Sequence, residues 1–172
     1  MIRWSAFLIA AVVLPGAACA QSVTAKAQTA FAAVCAAAID ERPDIVSIAS
    51  SVGLESAGGL KDVMTVGHTG LRAFTAPQIK QNIIVTINTF GDAREILCRS
   101  TMPAHTERAE LEDLARTLKL DGSFFDMAAT INGSWKRPGN QPLVFVTMNS
   151  TANSTTLAMQ RIDLAASGQE KK

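Results

Sequence analysis

The sequence predicts an α+β domain: a curved antiparallel sheet of five to six strands with about three helices packed on one face. Three observations carry this expectation. Helical and strand periodicities come in blocks instead of strict alternation, which argues against a parallel sheet. The last three predicted strands are joined by connections too short for a parallel crossover. Two cysteines, Cys35 and Cys98, fall on inward faces by independent period counts, one on a helix and one on a strand.

The first segment is not part of that domain. Arg3, an apolar run from Trp4 to Pro15 and the small residues Ala18-Cys19-Ala20 form an export signal with cleavage after Ala20. The run is too short to span a bilayer as a stable helix. The competing reading makes Cys19 a lipidated N-terminus. It wants Leu three residues before the cysteine, where Gly16 stands, with Leu14 two residues too early. The expected mature protein is periplasmic or secreted, with its domain over 21–165 and a disordered tail over 166–172.

Ala27, Phe31, Val34, Cys35 and Ala38 form one apolar stripe on a helix over 24–38. Pro43 suits the first turn of a second helix, which Gly53 ends. Short strands are expected at 62–66 and 71–75. Gln81 to Phe90, rich in Ile, Val and Thr, is a strong strand, and Gly91-Asp92-Ala93 turns it into a partner over 95–101. Thr106 is the expected cap of a third helix with Leu111, Leu114, Ala115 and Leu118 inside, ended by Asp121-Gly122. Strands over 125–135, 142–149 and 155–162 complete the sheet. This order of elements is similar to that of the nuclear-transport-factor-2-like domains, without any shared motif.

Cysteine usage and charge then narrow the function. Cleavage removes Cys19, so Cys35 and Cys98 are expected to form a disulfide in an oxidising compartment. Of 16 basic residues the signal takes Arg3, leaving 15 against 15 acidic ones. That balance lacks the clustered cations that nucleic acid or an anionic membrane demands. No metal site or cofactor is expected, because the two histidines, His68 and His105, stand in no ligand-like spacing.

Candidate chemistry is sparse. His68, between Gly67 and Gly70, could act as a general base on a loop, and His105 stands just before the third helix. Asp126 on a strand, with Thr130 on the same face four residues later, could line a wet cavity, and so could Asn132 and Ser134, which continue that face. The plainer readings are an exposed turn residue for His68, packing beside the helix start for His105 and a solvated convex side for the Asp126 set. Trp135 and Arg137 form a possible binding anchor, with Trp135 as a lid on the core the plainer reading. No nucleophile elbow, zinc-protease motif, phosphate loop or C-x-x-C pair is present. The expected function is therefore a non-catalytic interaction module: an inhibitor, an immunity-type protein or an envelope accessory protein. The alternative is a small-ligand carrier or enzyme using His68, His105 and Asp126 around a pocket in a curved sheet.

Overall fold

A computed structural model describes residues 22–57, 68–127, 129–139 and 142–164. The expected signal, the strand at 62–66 and the tail lie outside these residues. Three helices and eight strands are described. They are α1 (Val23–Ile39), α2 (Ile45–Ser51), β1 (Glu55–Ser56), β2 (His68–Ala76), β3 (Gln81–Phe90), β4 (Ala93–Met102), α3 (Arg108–Thr117), β5 (Asp121–Met127), β6 (Thr130–Lys136), β7 (Leu143–Ser150) and β8 (Thr155–Leu164). A 3-10 turn over Pro77–Ile79 links β2 to β3. The α+β class stands, but the sheet has eight strands instead of five or six, and it is open.

The strand order is β1-β2-β3-β4-β8-β7-β6-β5, with every neighbour antiparallel. Two four-stranded meanders, the first preceded by α1 and α2 and the second by α3, meet where β4 pairs with β8. From the middle of the sheet the chain passes through α3 to the far edge at β5, then works back strand by strand. The expected strand over 125–135 is really the hairpin of β5 and β6, with Met127 paired to Thr130. Side-chain character runs on through that tight turn without a break, so the alternation reads as one strand.

Inward residues follow the period of two. Ile83 and Val85 on β3, Ile96 and Cys98 on β4, Leu157 and Met159 on β8, and Val144 and Val146 on β7 are all buried. Helix α1 lies against β3, β4 and β8 with Ala27, Ala30, Phe31, Val34 and Cys35 in the core. Its alanines favour helix and permit close approach. Two ties fix it. Cys35 is bonded to Cys98, 63 residues on. Gln81, 1% exposed, donates from Nε2 to the Ala27 carbonyl and to Ser100 Oγ, both at 2.8 Å.

Helix α3 begins one residue later than expected, and its cap is Glu107. The Glu107 side chain takes the N3 backbone N–H, and Glu110 Oε2 accepts from Glu107 N at 3.1 Å. Thr106 is fully buried, and its hydroxyl lies 2.9 Å from Thr155 Oγ1. A hydroxyl engaged there is not free to cap. Asp121-Gly122 likewise opens β5, while Lys119, at φ 54°, turns the chain out of the helix. Gly122 and Gly133 both crowd Trp135: a Cβ on Gly133 would enter the indole ring, and one on Gly122 would strike the backbone of β6. Trp135 is thus folded back over its own strand, 5% exposed, with Phe124 edge-on at 4.8 Å. It is the lid on the core.

The disulfide closes a long loop between the first helix and the middle of the sheet. Replacing both cysteines with serine is expected to lower unfolding free energy by about 4 kcal/mol on the chain-entropy account. Urea unfolding of the variant and of the wild type with and without reductant checks this. Reductant should destabilise only the wild type.

Candidate functional site

The most catalysis-like arrangement lies where β4 runs into α3. His105 Nε2 is 3.4 Å from Glu107 Oε1, and His105 Nδ1 is 3.1 Å from Ser150 Oγ. A carboxylate, an imidazole and a serine in line resemble a nucleophile triad. Two features decide against it. Nδ1 also lies 2.8 Å from the Thr151 carbonyl oxygen, which only accepts. Nδ1 therefore carries the proton and cannot take one from Ser150. Ser150 is fully buried, and its Oγ accepts the Thr106 backbone N–H at 2.9 Å. Thr155 completes the cluster, donating to the Ala104 carbonyl at 2.8 Å and lying 3.1 Å from Ser150 Oγ. The arrangement is a buried polar clasp that ties the start of α3 to the β7–β8 turn.

The other chemical candidates are not brought to it. His68 pairs with Asn88 at one end of β2–β3, and Asn88 in turn pairs with Glu95 on β4. His105 follows the opposite end of β4, beyond Met102. Asp126 pairs with Ile131, whereas Thr130 pairs with Met127, so Asp126 and Thr130 sit on two different strands of a hairpin. The four-residue spacing suggested one strand because the hairpin turn was hidden. Asn132 and Ser134 do share the face of Thr130. Asn132 donates to Thr130 Oγ1 at 2.6 Å and also bonds Asn149. Arg137 holds Asp40 at 2.9 Å. Among the described residues no cluster of three His, Cys, Asp or Glu could hold a metal ion, and no helix is long and apolar enough to cross a membrane.

A charged network absent from the sequence reading sits beyond the C-terminal end of α1. Glu41, at φ 52°, turns its carboxylate onto Arg94 at 2.6 Å and Arg161 at 3.4 Å. Arg161 also reaches Asp163 at 2.8 Å and donates to the Ile39 carbonyl at 2.8 Å, the latter close to where α1 ends. The hydrogen bond from Arg94 chiefly, then the charges of Arg94 and Arg161, hold the Glu41 carboxyl below its ordinary 4.5 against an opposing desolvation. The only sequence signal is the Arg161-x-Asp163 spacing, which puts two opposite charges on one strand face.

The broadest feature is the sheet face turned away from α1. One line of side chains, Thr75, Asn82, Thr101, Thr156, Asn149, Asn132 and Phe125, crosses seven strands in register. The charged residues on this face are Glu55, Glu95, Arg99, Asp121 and Lys136, with none on β2, β3, β7 or β8. Five of the seven exposed large apolar side chains, Ile84, Phe90, Phe125, Met127 and Leu164, stand on it.

No family model, curated protein or solved structure matches this chain. The similarity in element order to nuclear-transport-factor-2-like domains therefore lends nothing to function, which rests on these surfaces.

Two outcomes follow. Ser150→Ala strips the buried Thr106 N–H of its acceptor and should cost about 1–3 kcal/mol in urea unfolding. For Glu41, a folded pKa below the unfolded one means its stabilisation is complete above pH 4.5 and fades as pH falls through the folded value. Glu41 is 42% exposed, so Glu41→Gln should cost no more than about 1 kcal/mol at pH 7. That difference should disappear in strong acid when unfolding is repeated across pH.

Proposed function

We propose that this protein is an exported, non-catalytic interaction module that binds a protein partner on the open face of its sheet. The observation carrying this reading is a broad, solvent-facing β surface to which β2, β3, β7 and β8 contribute no charge and which is studded with Ile84, Phe125 and Leu164. Depletion of charge and enrichment of apolar and aromatic groups mark the cores of protein interfaces. On this reading the three helices share the covered face and leave the other free. Eight strands at roughly 4.8 Å spacing make a face about 34 Å across, and seven-residue strands such as β5 and β6 run about 24 Å, which gives an area on the order of the roughly 800 Å² that one partner contributes to a standard interface.

Two further facts support the reading. The Cys35–Cys98 bond suits a periplasmic or secreted protein. The Ser150 hydroxyl, the nearest thing to a nucleophile beside an imidazole, is buried and committed to the fold. The partner surface is expected to be largely uncharged and apolar, with polar rim groups that meet the Thr and Asn line.

The test is a pair of photo-crosslinking positions on the open face, Ile84 and Thr147, with Val46 on α2 as a control, introduced into the full chain in its own cells. One partner crosslinked from both face positions and not from Val46 is expected. The double variant Ile84→Lys, Phe125→Lys should weaken binding of that partner by at least tenfold while leaving the thermal midpoint within a few degrees. Equal capture from Val46, or binding unchanged by the two lysines, overturns the reading.

A further inference from the structure

The strongest unassigned feature is a cleft of about 390 Å³ on the opposite side of the sheet, beyond the end of α1. Its floor is apolar: Val85 and Ile87 of β3 and Ile96 of β4. The connection from α1 to α2, with Glu41, Arg42 and Pro43, forms one wall, and Gly70 and Arg72 of β2 form the other. The volume falls within the range of small-molecule pockets.

The charges around it pair off almost completely. Arg42 holds Asp44 at 2.6 Å, Arg94 holds Glu41 at 2.6 Å, Arg161 holds Asp163 at 2.8 Å and Arg137 holds Asp40 at 2.9 Å. Four guanidiniums thus meet four carboxylates. Arg72 is the fifth guanidinium, and no ion pair joins it to any described residue. It stands on the inward row of β2, opposite Val85 in register, at the edge of the apolar floor. The wall facing it is held by a residue in left-handed backbone: Glu41, at φ 52°, is kept there by Arg94 and Arg161. A non-glycine residue in that region costs about 1 kcal/mol or more and persists where the surroundings enforce it. Glycine at position 70 keeps the other wall low, since a Cβ there would come to 3.5 Å from Ile87 Cδ1.

We propose that this cleft binds a small monocarboxylate with a hydrocarbon tail. The carboxylate lies in the fork of the Arg72 guanidinium, and the tail lies on Val85, Ile87 and Ile96. The planar five-donor fork matches a carboxylate with two parallel hydrogen bonds. A single unpaired cation selects a monoanion, and the apolar floor rewards a tail over a bare ion. The site lies on the other side of the sheet from the proposed partner surface and stands or falls independently of it.

The probe is octanoate, titrated into the full mature chain with its disulfide intact, read by calorimetry and by methyl NMR. Saturable binding is expected, with shifts concentrated on Val85, Ile87 and Ile96. Acetate, lacking a tail, and octylammonium, with the opposite charge, should each bind at least tenfold more weakly. Arg72→Gln should weaken octanoate at least tenfold. Gly70→Val, which fills the cleft and leaves Arg72 in place, should abolish binding with the far-UV spectrum unchanged. No saturation by octanoate, equal binding of acetate or of octylammonium, shifts centred elsewhere, or indifference to both substitutions each overturns the proposal.

Discussion

The pairing of β4 with β8 is the constraint on which everything else depends. Ten residues of each strand face one another in unbroken register, from Ala93 opposite Leu164 to Met102 opposite Thr155. Only this seam turns two meanders into one sheet. It is also the most non-local strand pairing of the sheet, since the whole second meander must form and return before it can close. The helix α1 and the disulfide sit directly over it: Cys98 lies on β4, opposite Met159 of β8. The bond therefore fastens the first helix to the place where the two halves join. A bond inside either meander would have secured only a hairpin that local contacts already hold.

The ends of that seam are finished in two different ways. At the Met102–Thr155 end, the hydroxyls of Ser150, Thr155 and Thr106 fill the buried junction, each bound to a neighbour, and the exposed His105 closes over them. At the Ala93–Leu164 end, α1 has stopped and inward positions are no longer roofed. The strands there carry Arg94, Arg161 and Asp163 inward, and Glu41 bends over to neutralise them. Such half-exposed pairs contribute little stability each. Their effect is positional: they hold the α1–α2 connection out as a wall and so keep the cleft beside Arg72 from collapsing onto its floor.

Legibility in the sequence followed the range of the interactions. The hairpin of β3 and β4 was plain, because Ile83, Val85 and Ile87 alternate strictly and Gly91-Asp92 supplies its turn. The stripe of α1 and the inward aim of both cysteines were plain for the same reason. The β5–β6 hairpin was hidden because residues 125–135 keep a mixed polar and apolar character through the turn, with no proline or glycine at the reversal itself. The reading of Asp126 and Thr130 as neighbours on one strand fails for the same reason, since the unseen reversal lies between them. Thr106 was misread because a local rule, a threonine before an acidic helix start, lost to a partner 49 residues away. Glu41 was invisible as a site residue for the same reason: its partners are 53 and 120 residues downstream.

The distribution of charge separates the two faces of the sheet more sharply than their hydrophobicity does. A β face exposed to water ordinarily carries alternating acids and bases, because unpaired apolar rows invite association. Here the charges that β2, β4 and β8 contribute beside α1, Arg72, Arg94, Arg161 and Asp163, point to the helix side, while β2, β3, β7 and β8 contribute none to the other. Solubility alone would put those side chains on the open face. Their placement concentrates charge at the helix-side margin, while on the open face Glu95 and Arg99 of the central strand stand between strands that contribute no charge. A surface that sheds water cheaply is suited to a macromolecule, and a margin with one unmatched guanidinium over an apolar floor is suited to a small anion. The two faces thus point to two kinds of occupant, and neither requires the catalytic groups that the clasp at His105 has already committed to the fold.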